Sequence, residues 1–433
     1  MSEPAPRRSI PGPIIVLPIL VIAGVAVSIA GYWLFSKAHS APGPPPSIAV
    51  LPFESKSARF LGDGVTVQVI DELSPIPDFL AIARTSTFAL RGEHNVQEIG
   101  RKLNVRTVML GSLERSGDRV QVSARLISAQ DGAQLWSKNY DRASDEIFAI
   151  EDEIAREIVD ALGLRLPVPL DHAAVTTVEA YHSYLRARSW RLEGDEPAQA
   201  AILYKKAIAL DPRYAPAYAG LAEDSLQWAI LPGNWEGETA DARAEALKAL
   251  ELDPRLALPH VVLGELKANT WDWRSALGEF ERALAINSAD PHAMRALAML
   301  NLAPMGHVKD AISEMNRVLD LDPLDPAVRH DLGLLLYLDR EFDAAVAQLK
   351  DLNSPHVRFL LAQIRGGEAE QPNAFAKACS YARAGDPAHA MDSLEEAYQQ
   401  RDPDLAYLKT WPAFDALRSD PRFQALLKKL NLA

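Results

Sequence analysis

The sequence predicts an α+β protein in three parts: a single transmembrane helix, a small α/β domain and an all-α solenoid of paired helices. Residues 14–35 carry no charge, which indicates the membrane helix. Short alternating runs between residues 47 and 166 indicate strands mixed with helices. A motif that returns about every 34 residues indicates stacked helix pairs at 178–353, with degenerate copies and capping helices at 371–433.

The first part is the apolar segment at residues 14–35. At about 1.5 Å per residue it spans about 33 Å, enough for a hydrocarbon core of roughly 30 Å. Arg7 and Arg8 precede it, so the tail of residues 1–13 is expected to stay in the cytoplasm, with the later domains on the other side. A cleaved signal peptide is the alternative, because Ser36-Lys37-Ala38 resembles a cleavage site.

Residues 47–166 follow a stiff, proline-rich linker at 36–46 and predict a compact α/β domain. Strands are expected at Ser47–Phe53, Phe79–Ala83, Val105–Leu113, Arg119–Ile127 and Gln134–Tyr140, and helices at residues 62–73, 96–103 and 144–164. Ser116-Gly117-Asp118 is typical of a hairpin turn. Asp63 lies between two glycines and is expected to cap the first helix, because the lysine and serine of a phosphate-binding loop are missing.

The third part repeats small and bulky residues on one helical face. Ala200, Tyr204 and Ala207 begin the series, and Pro212 stops the helix. Copies follow at Ala242, Ala246 and Ala249, at Ala276, Phe280 and Ala283, at Ala311, Met315 and Val318, at Ala345 and Leu349, and at Ala390, Leu394 and Ala397. This period is typical of tetratricopeptide repeats (TPRs), of which about six are expected. The stretch from Trp411 to Leu432 is expected to cap one end.

Composition and motifs exclude several kinds of chemistry. A net charge of -13 argues against nucleic-acid binding, and the single Cys379 excludes an intrachain disulfide. His260, His292 and His330 fall on successive first helices, where solvated positions explain them better than a metal site. Asp145, Glu146, Glu151, Asp152 and Glu153 are expected on a solvated face at a helix start. With no catalytic motif present, a non-enzymatic protein without cofactor or metal is expected.

Several segments of the α/β part resemble the TolB amino-terminal-like domain: Ile48–Phe53, Leu61–Gly64, Ile82–Ser86, Leu110–Leu113, Arg119–Val122, Leu135–Trp136 and Ile147–Phe148. The resemblance implies a bacterial adaptor in which this domain joins TPRs behind one membrane helix, similar to the C-terminal parts of CadC-type regulators and cyclase-associated TPR proteins. Such relatives carry a DNA-binding or cyclase domain before the membrane helix. The tail at 1–13 is too short for either, so neither activity is expected.

Stacked helix pairs present a groove lined by their first helices, and such grooves accept peptides or helices. Outward groove positions are expected at His182, Ser189, Glu223, Gln227, Glu265, Asn269, Arg295, His330 and Tyr337. The sequence therefore predicts a scaffold or adaptor in the bacterial inner membrane, with periplasmic C-terminal domains and a protein or peptide partner. The alternative is a signal-relay protein that passes a periplasmic event through its membrane helix to a separate cytoplasmic partner.

Overall fold

Helices form most of the described chain, and one five-stranded sheet lies near its beginning, so the predicted α+β class is confirmed. The computed structural model describes residues 46–164, 176–193, 197–229, 235–366 and 373–433. The expected tail, membrane helix and linker up to residue 45 lie outside these ranges. Inside them, none of the helices is long and apolar enough to cross a membrane.

The five strands confirm the predicted order along the chain. They are β1 (Ser47–Val50), β2 (Leu80–Ala81), β3 (Thr107–Ser116), β4 (Arg119–Ser128) and β5 (Gln134–Ala143), arranged in space as β2-β1-β3-β4-β5. β1 pairs in parallel with β2 and β3, whereas β3, β4 and β5 form an antiparallel meander. The predicted turn between β3 and β4 places Gly117 at a φ of 60°, which glycine adopts without a steric penalty.

Four helices belong to the sheet domain: α1 (Arg59–Leu73), α2 (Arg84–Ala89), α3 (Val96–Leu103) and α4 (Ile147–Ala161). Apolar side chains of α1 and α4 pack on one face of the sheet, and those of α3 pack on the other. Ile150, Ile154 and Ile158 of α4 are fully buried, and each such side chain contributes about 1.5–3 kcal/mol. The sequence does not predict α2, because six residues are too few to show helical periodicity.

The prediction that Asp63 caps the first helix is wrong. Helix α1 begins at Arg59, so Asp63 lies inside it with a buried side chain. Its two carboxylate oxygens accept hydrogen bonds from Arg91 Nη2 at 2.7 Å and from Ser189 Oγ at 3.1 Å. Asp63 therefore joins the sheet domain to the first repeat instead of ending a helix.

The expected solvated acidic face on α4 also needs correction. Glu151 and Asp152 are buried, and Oε2 of Glu151 accepts a hydrogen bond of 2.7 Å from the hydroxyl of Tyr181. Glu153 is partly exposed and pairs with Lys138 of β5. The cause is tertiary packing, because the first repeat helix covers the side of α4 that carries Glu151.

Helix pairs follow the sheet domain at the predicted period. They are α5 (Val178–Glu193) with α6 (Pro197–Leu210), α7 (Ala215–Ala229) with α8 (Trp235–Leu252), α9 (Ala257–Ala268) with α10 (Trp273–Ile286), α11 (Pro291–Leu297) with α12 (Val308–Leu321), and α13 (Pro326–Leu338) with α14 (Phe342–Leu349). Helix α15 (Pro355–Arg365) occupies the stretch where the period weakens. The last pair, α16 (Ala374–Arg383) and α17 (Pro387–Gln399), precedes α18 (Pro421–Lys429).

The alternation of small and bulky residues sets how closely the helices approach. A Cβ atom on Gly264 of α9 would lie 2.4 Å from the ring of Phe280 on α10, and one on Gly220 would lie 2.4 Å from the ring of Tyr204. Such distances are far inside van der Waals contact, so only glycine allows these rings to pack. The alanines of the predicted series, such as Ala200, Ala207 and Ala276, are fully buried, as expected for contact points between helices.

The C-terminal stretch does more than cap the end of the array, which is the role expected from its sequence. It turns back, and the indole Nε1–H of Trp273, at the start of α10, donates a 2.8 Å hydrogen bond to the carbonyl of Leu430, 157 residues later. Trp411 is fully buried between the rings of Tyr337, Phe359 and Phe375. The last residues therefore fasten the third repeat to the later ones.

The sheet domain also contacts several repeats. Leu185 of α5 packs against Gly64 of α1, and Arg188 of α5 forms a 2.7 Å ion pair with Asp71. Beyond the third pair, Asn287 Nδ2 donates to Ser74 Oγ at 2.9 Å. Repeats that lie far apart in sequence are thus joined through the same small domain.

Candidate protein-binding groove

The first helices of the pairs lie side by side. Backbone contacts join α5 to α7, α7 to α9, α9 to α11 and α13 to α15, and the Arg295–Asp331 ion pair joins α11 to α13, whereas successive second helices contact one another less. Closer packing on one side curves a stack of helix pairs toward that side. We call the surface formed by these first helices the groove.

Three charged residues, one from each of three adjacent first helices, meet in the first half of the groove. His292 of α11 donates from Nε2 to Glu265 Oε1 on α9 at 2.9 Å, and its Nδ1 lies 3.8 Å from Glu223 Oε1 on α7. Burial disfavours the charged ring, but the hydrogen bond to Glu265 and the two negative charges outweigh it and raise the pKa of His292 to about 9. The ring is therefore an imidazolium at neutral pH.

Five more residues extend this row. Arg295 of α11 donates from Nε to Asp331 Oδ2 on α13 at 2.7 Å, and Asp331 Oδ1 lies 2.8 Å from His330 Nδ1. His330 Nε2 lies 2.8 Å from His356 Nδ1 on α15, whose Nε2 faces Asp404 Oδ1 at 3.6 Å. Burial and neighbouring His330 lower the pKa of His356 to about 4, so this ring is neutral.

We call this row the ladder: Glu223, Glu265, His292, Arg295, Asp331, His330, His356 and Asp404. Its members differ systematically in exposure. The side chains of the four bases are 24–39 % exposed, whereas those of the four acids are only 9–15 % exposed. The acids thus lie beneath the bases, and a molecule that enters the groove meets guanidinium and imidazole groups first.

One end of the ladder opens into a pocket of about 300 Å³. His356, Asp404 and the ring of Phe359 line it, together with Pro355 and the cap residue Asn373. Apolar walls beside a few polar groups are typical of ligand-binding pockets. Among the described residues, no group of three or more His, Cys, Asp and Glu side chains could hold a metal ion.

Four of the nine predicted groove residues belong to the ladder: Glu223, Glu265, Arg295 and His330. Gln227 lies partly buried on α7, and Asn269 is the partly buried residue that ends α9. A partner-binding role for these residues remains a prediction.

The structure places three predicted groove residues elsewhere. Ser189 is buried against Asp63, and His182 packs edge-on against Phe60 with ring centroids 5.9 Å apart, so the sheet domain covers both positions. Tyr337 is buried and contacts Trp411. The returning C-terminal stretch covers it, which the repeat pattern alone does not reveal.

His292, Asp331, His356 and Asp404 are not among the groove residues expected from the sequence. His292 and His330 were expected as solvated side chains on one surface, whereas both are paired with carboxylates. The third histidine in that series, His260, pairs with Glu279 of α10 at 2.8 Å and lies outside the ladder. A signal existed in the repeated histidines, but their partners lie on neighbouring repeats.

Comparisons with known proteins give one similar curated relative, and no family model matches the chain. The chain is 32 % identical over 253 residues to "Putative adenylate cyclase 3" of Rhizobium meliloti (strain 1021), covering 55 % of this chain and 42 % of that protein. It therefore spans less than half the length of this curated relative. The similarity to a protein named as an enzyme contradicts the expectation of a non-enzymatic protein.

Solved structures with similar parts include TPR proteins. The chain is 20 % identical to Pseudomonas aeruginosa PilF, with a TM-score of 0.33 over 55 % of this chain and 98 % of that one. It is 21 % identical to YrrB, described as a TPR protein with an unusual peptide-binding site, with a TM-score of 0.27 over 43 % of this chain and 87 % of that one. It is 17 % identical to TolB from Acinetobacter baumannii, with a TM-score of 0.23 over 31 % of this chain and 32 % of that one. With TM-scores this low, the assignment of helical repeats depends on the packing described above.

Proposed function

We propose that this protein is an interaction scaffold whose groove binds an extended segment of another protein. The ladder supports this proposal most directly. Burying charged groups is costly, and hydrophobic residues usually stabilise a core as well or better. Eight polar side chains in one row, seven of them on successive first helices and all with their basic groups accessible, are therefore better explained by recognition than by stability.

The proposal includes a place in the cell. Residues 14–35 would anchor the chain in the bacterial inner membrane, with the sheet domain and repeats in the periplasm; their apolar composition supports this. A reporter that is active only after export, fused after Ala433, should then be active. Activity of a reporter that works only in the cytoplasm would contradict this topology.

A second candidate function is regulation of a nucleotide cyclase, favoured by the relative named as a putative adenylate cyclase. In this version, a segment bound in the groove changes adenylate cyclase activity, either of this protein or of a membrane partner. Cyclic AMP formed from ATP by membranes that contain the chain should then differ between the parent and Arg295→Glu. If the signal passes through the membrane helix, the difference in cyclic AMP formation between the parent and Arg295→Glu should depend on the sequence of residues 14–35.

A photocrosslinking residue placed at Pro355 tests groove binding in intact membranes. Pro355 is exposed at the pocket, and Ile202, which is 58 % exposed on α6, serves as the matched position outside the groove. We expect a defined partner to crosslink at Pro355 and to be lost when Arg295 is changed to Glu. Equal products at both positions, or products that Arg295→Glu leaves unchanged, would rule out the groove.

A further inference from the structure

We propose that the segment bound in the groove is acidic, with carboxylate side chains that lie against Arg295 and His292. This inference rests on the proposed protein-binding function and names the chemistry of the partner. It follows from three features of the ladder: its layering, the unused donors of Arg295 and the pocket at one end.

The layering decides which charge a partner meets. Every acid of the ladder is less exposed than any of its bases. Glu265 and Asp331 already accept hydrogen bonds from His292 and Arg295. A lysine or arginine from a partner would have to displace these bases to reach the acids, and would meet two positive charges on the way.

Arg295 holds donors that the folded chain does not use. Its Nε–H bonds to Asp331, but neither Nη atom donates a hydrogen bond within the described residues. The bond through Nε fixes the plane of the guanidinium, so its remaining N–H groups are held in one orientation. Two parallel N–H groups match the two oxygens of a carboxylate, the strongest pairing a guanidinium makes.

The pocket adds a second requirement. Phe359 and two prolines, Pro355 and Pro403, give it apolar walls next to His356. An apolar side chain placed near the acidic residues would bury surface there. The partner segment is therefore acidic with at least one bulky apolar residue, and not a uniformly charged tail.

Fluorescence anisotropy of the purified full chain tests this with three labelled decapeptides. The first contains glutamate, leucine and phenylalanine, and the other two carry glutamine or lysine in place of every glutamate. We expect the acidic peptide to bind about tenfold more tightly than the glutamine peptide, and the lysine peptide to bind weakest. Arg295→Gln should remove this preference, and Arg295→Lys should keep only part of it, because lysine lacks the planar fork.

Two controls make the result decisive. Arg274→Gln changes an exposed arginine on α10, outside the groove, and should leave binding unchanged. His292→Gln should weaken binding of the acidic peptide independently of Arg295, provided thermal melting shows that each variant is folded.

Equal or tighter binding of the lysine peptide overturns the acidic assignment, while the proposal that the groove binds a protein stands. A crosslink at Pro355 combined with equal binding of the acidic and glutamine peptides also overturns only the acidic assignment. If no crosslink forms and none of the three peptides binds, the proposed protein-binding function itself is rejected.

Discussion

Asp322, the residue that ends α12, accepts hydrogen bonds from both the backbone N–H and the hydroxyl of Ser86 in the sheet domain, 236 residues earlier in the chain. The N–H contact measures 2.8 Å, and Ser86 Oγ in turn accepts a 2.8 Å hydrogen bond from the N–H of Leu324. A turn between two repeats thus lies against the start of α2. Because these groups are buried, each lost bond leaves a polar atom without a partner.

Replacing Asp322 with Ala should lower the free energy of unfolding by about 2–3 kcal/mol, because two buried donors of Ser86 lose a carboxylate acceptor. Urea unfolding followed by circular dichroism measures the change. Asp320→Ala, at an exposed position two residues earlier, should change stability by less than about 0.5 kcal/mol. Equal effects of the two substitutions would show that the contact contributes nothing to stability.

Gly264→Ala should destabilise the fold by about 1–3 kcal/mol, because its methyl group would lie 2.4 Å from the Phe280 ring. The matched control is Gly278→Ala, where a methyl group meets no atom within 4 Å, and which should stabilise α10 by up to about 1 kcal/mol. Thermal melting distinguishes the opposite signs. Combining Gly264→Ala with Phe280→Leu should recover part of the loss, since the smaller side chain leaves room for the methyl group.

Glu151 should make stability depend on pH. Burial raises the pKa of its carboxyl well above the usual 4.5, with nearby Glu72 and Asp152 acting in the same direction. A carboxyl whose pKa is raised in the folded state contributes stability that is fully present below its pKa in the unfolded chain. This stability is lost as the pH rises through the folded pKa. Glu151→Gln removes this loss and still offers Tyr181 a hydrogen-bond acceptor.

The Glu151→Gln variant should therefore be more stable than the parent at pH 8, and the difference should vanish near pH 4.5. Urea unfolding at several pH values measures it. Glu281→Gln, at an exposed position on α10, should show no such trend. A constant difference between Glu151→Gln and the parent at all pH values would mean that Glu151 does not titrate on unfolding.

His292 should remain protonated above pH 8. Its folded pKa of about 9 exceeds the usual 6.5, so the stabilisation is complete below pH 6.5 and is lost as the pH rises through 9. Nuclear magnetic resonance of histidine labelled with ¹³C should show an imidazolium signal at pH 8 that His292→Gln removes. If every ring signal titrates near 6.5, the contact with Glu265 is not a charged one.

The repeats could be predicted because their signals are local. Ala200, Tyr204 and Ala207 lie within two turns of one helix, so their shared face can be read directly from the sequence. The ladder is different, since Arg295 and Asp331 are 36 residues apart and His292 and Glu265 are 27 apart. Which first-helix residues meet depends on the rotation of each helix, and the hydrophobic pattern fixes that only to within a residue or two.

The misplaced residues show a second limit. Tyr337 has the spacing of an outward position, yet Trp411, 74 positions later in the chain, covers it. Asp63 has the surroundings of a cap, yet the helix extends back to Arg59. In both cases the residue's partners lie far away in the sequence, Trp411 for Tyr337 and Arg91 and Ser189 for Asp63, and no short stretch of sequence carries that information.

The fastening of Trp273 to Leu430 constrains how a partner can arrive. An open superhelix of repeats can extend, so that its groove widens and admits a preformed helix from the side. Here the returning end joins the third repeat to the C-terminal helices, and this contact opposes widening of the groove. If the groove binds a partner as proposed, we expect the partner to enter as an extended chain, with an association rate limited by how often that segment is unfolded in the free partner.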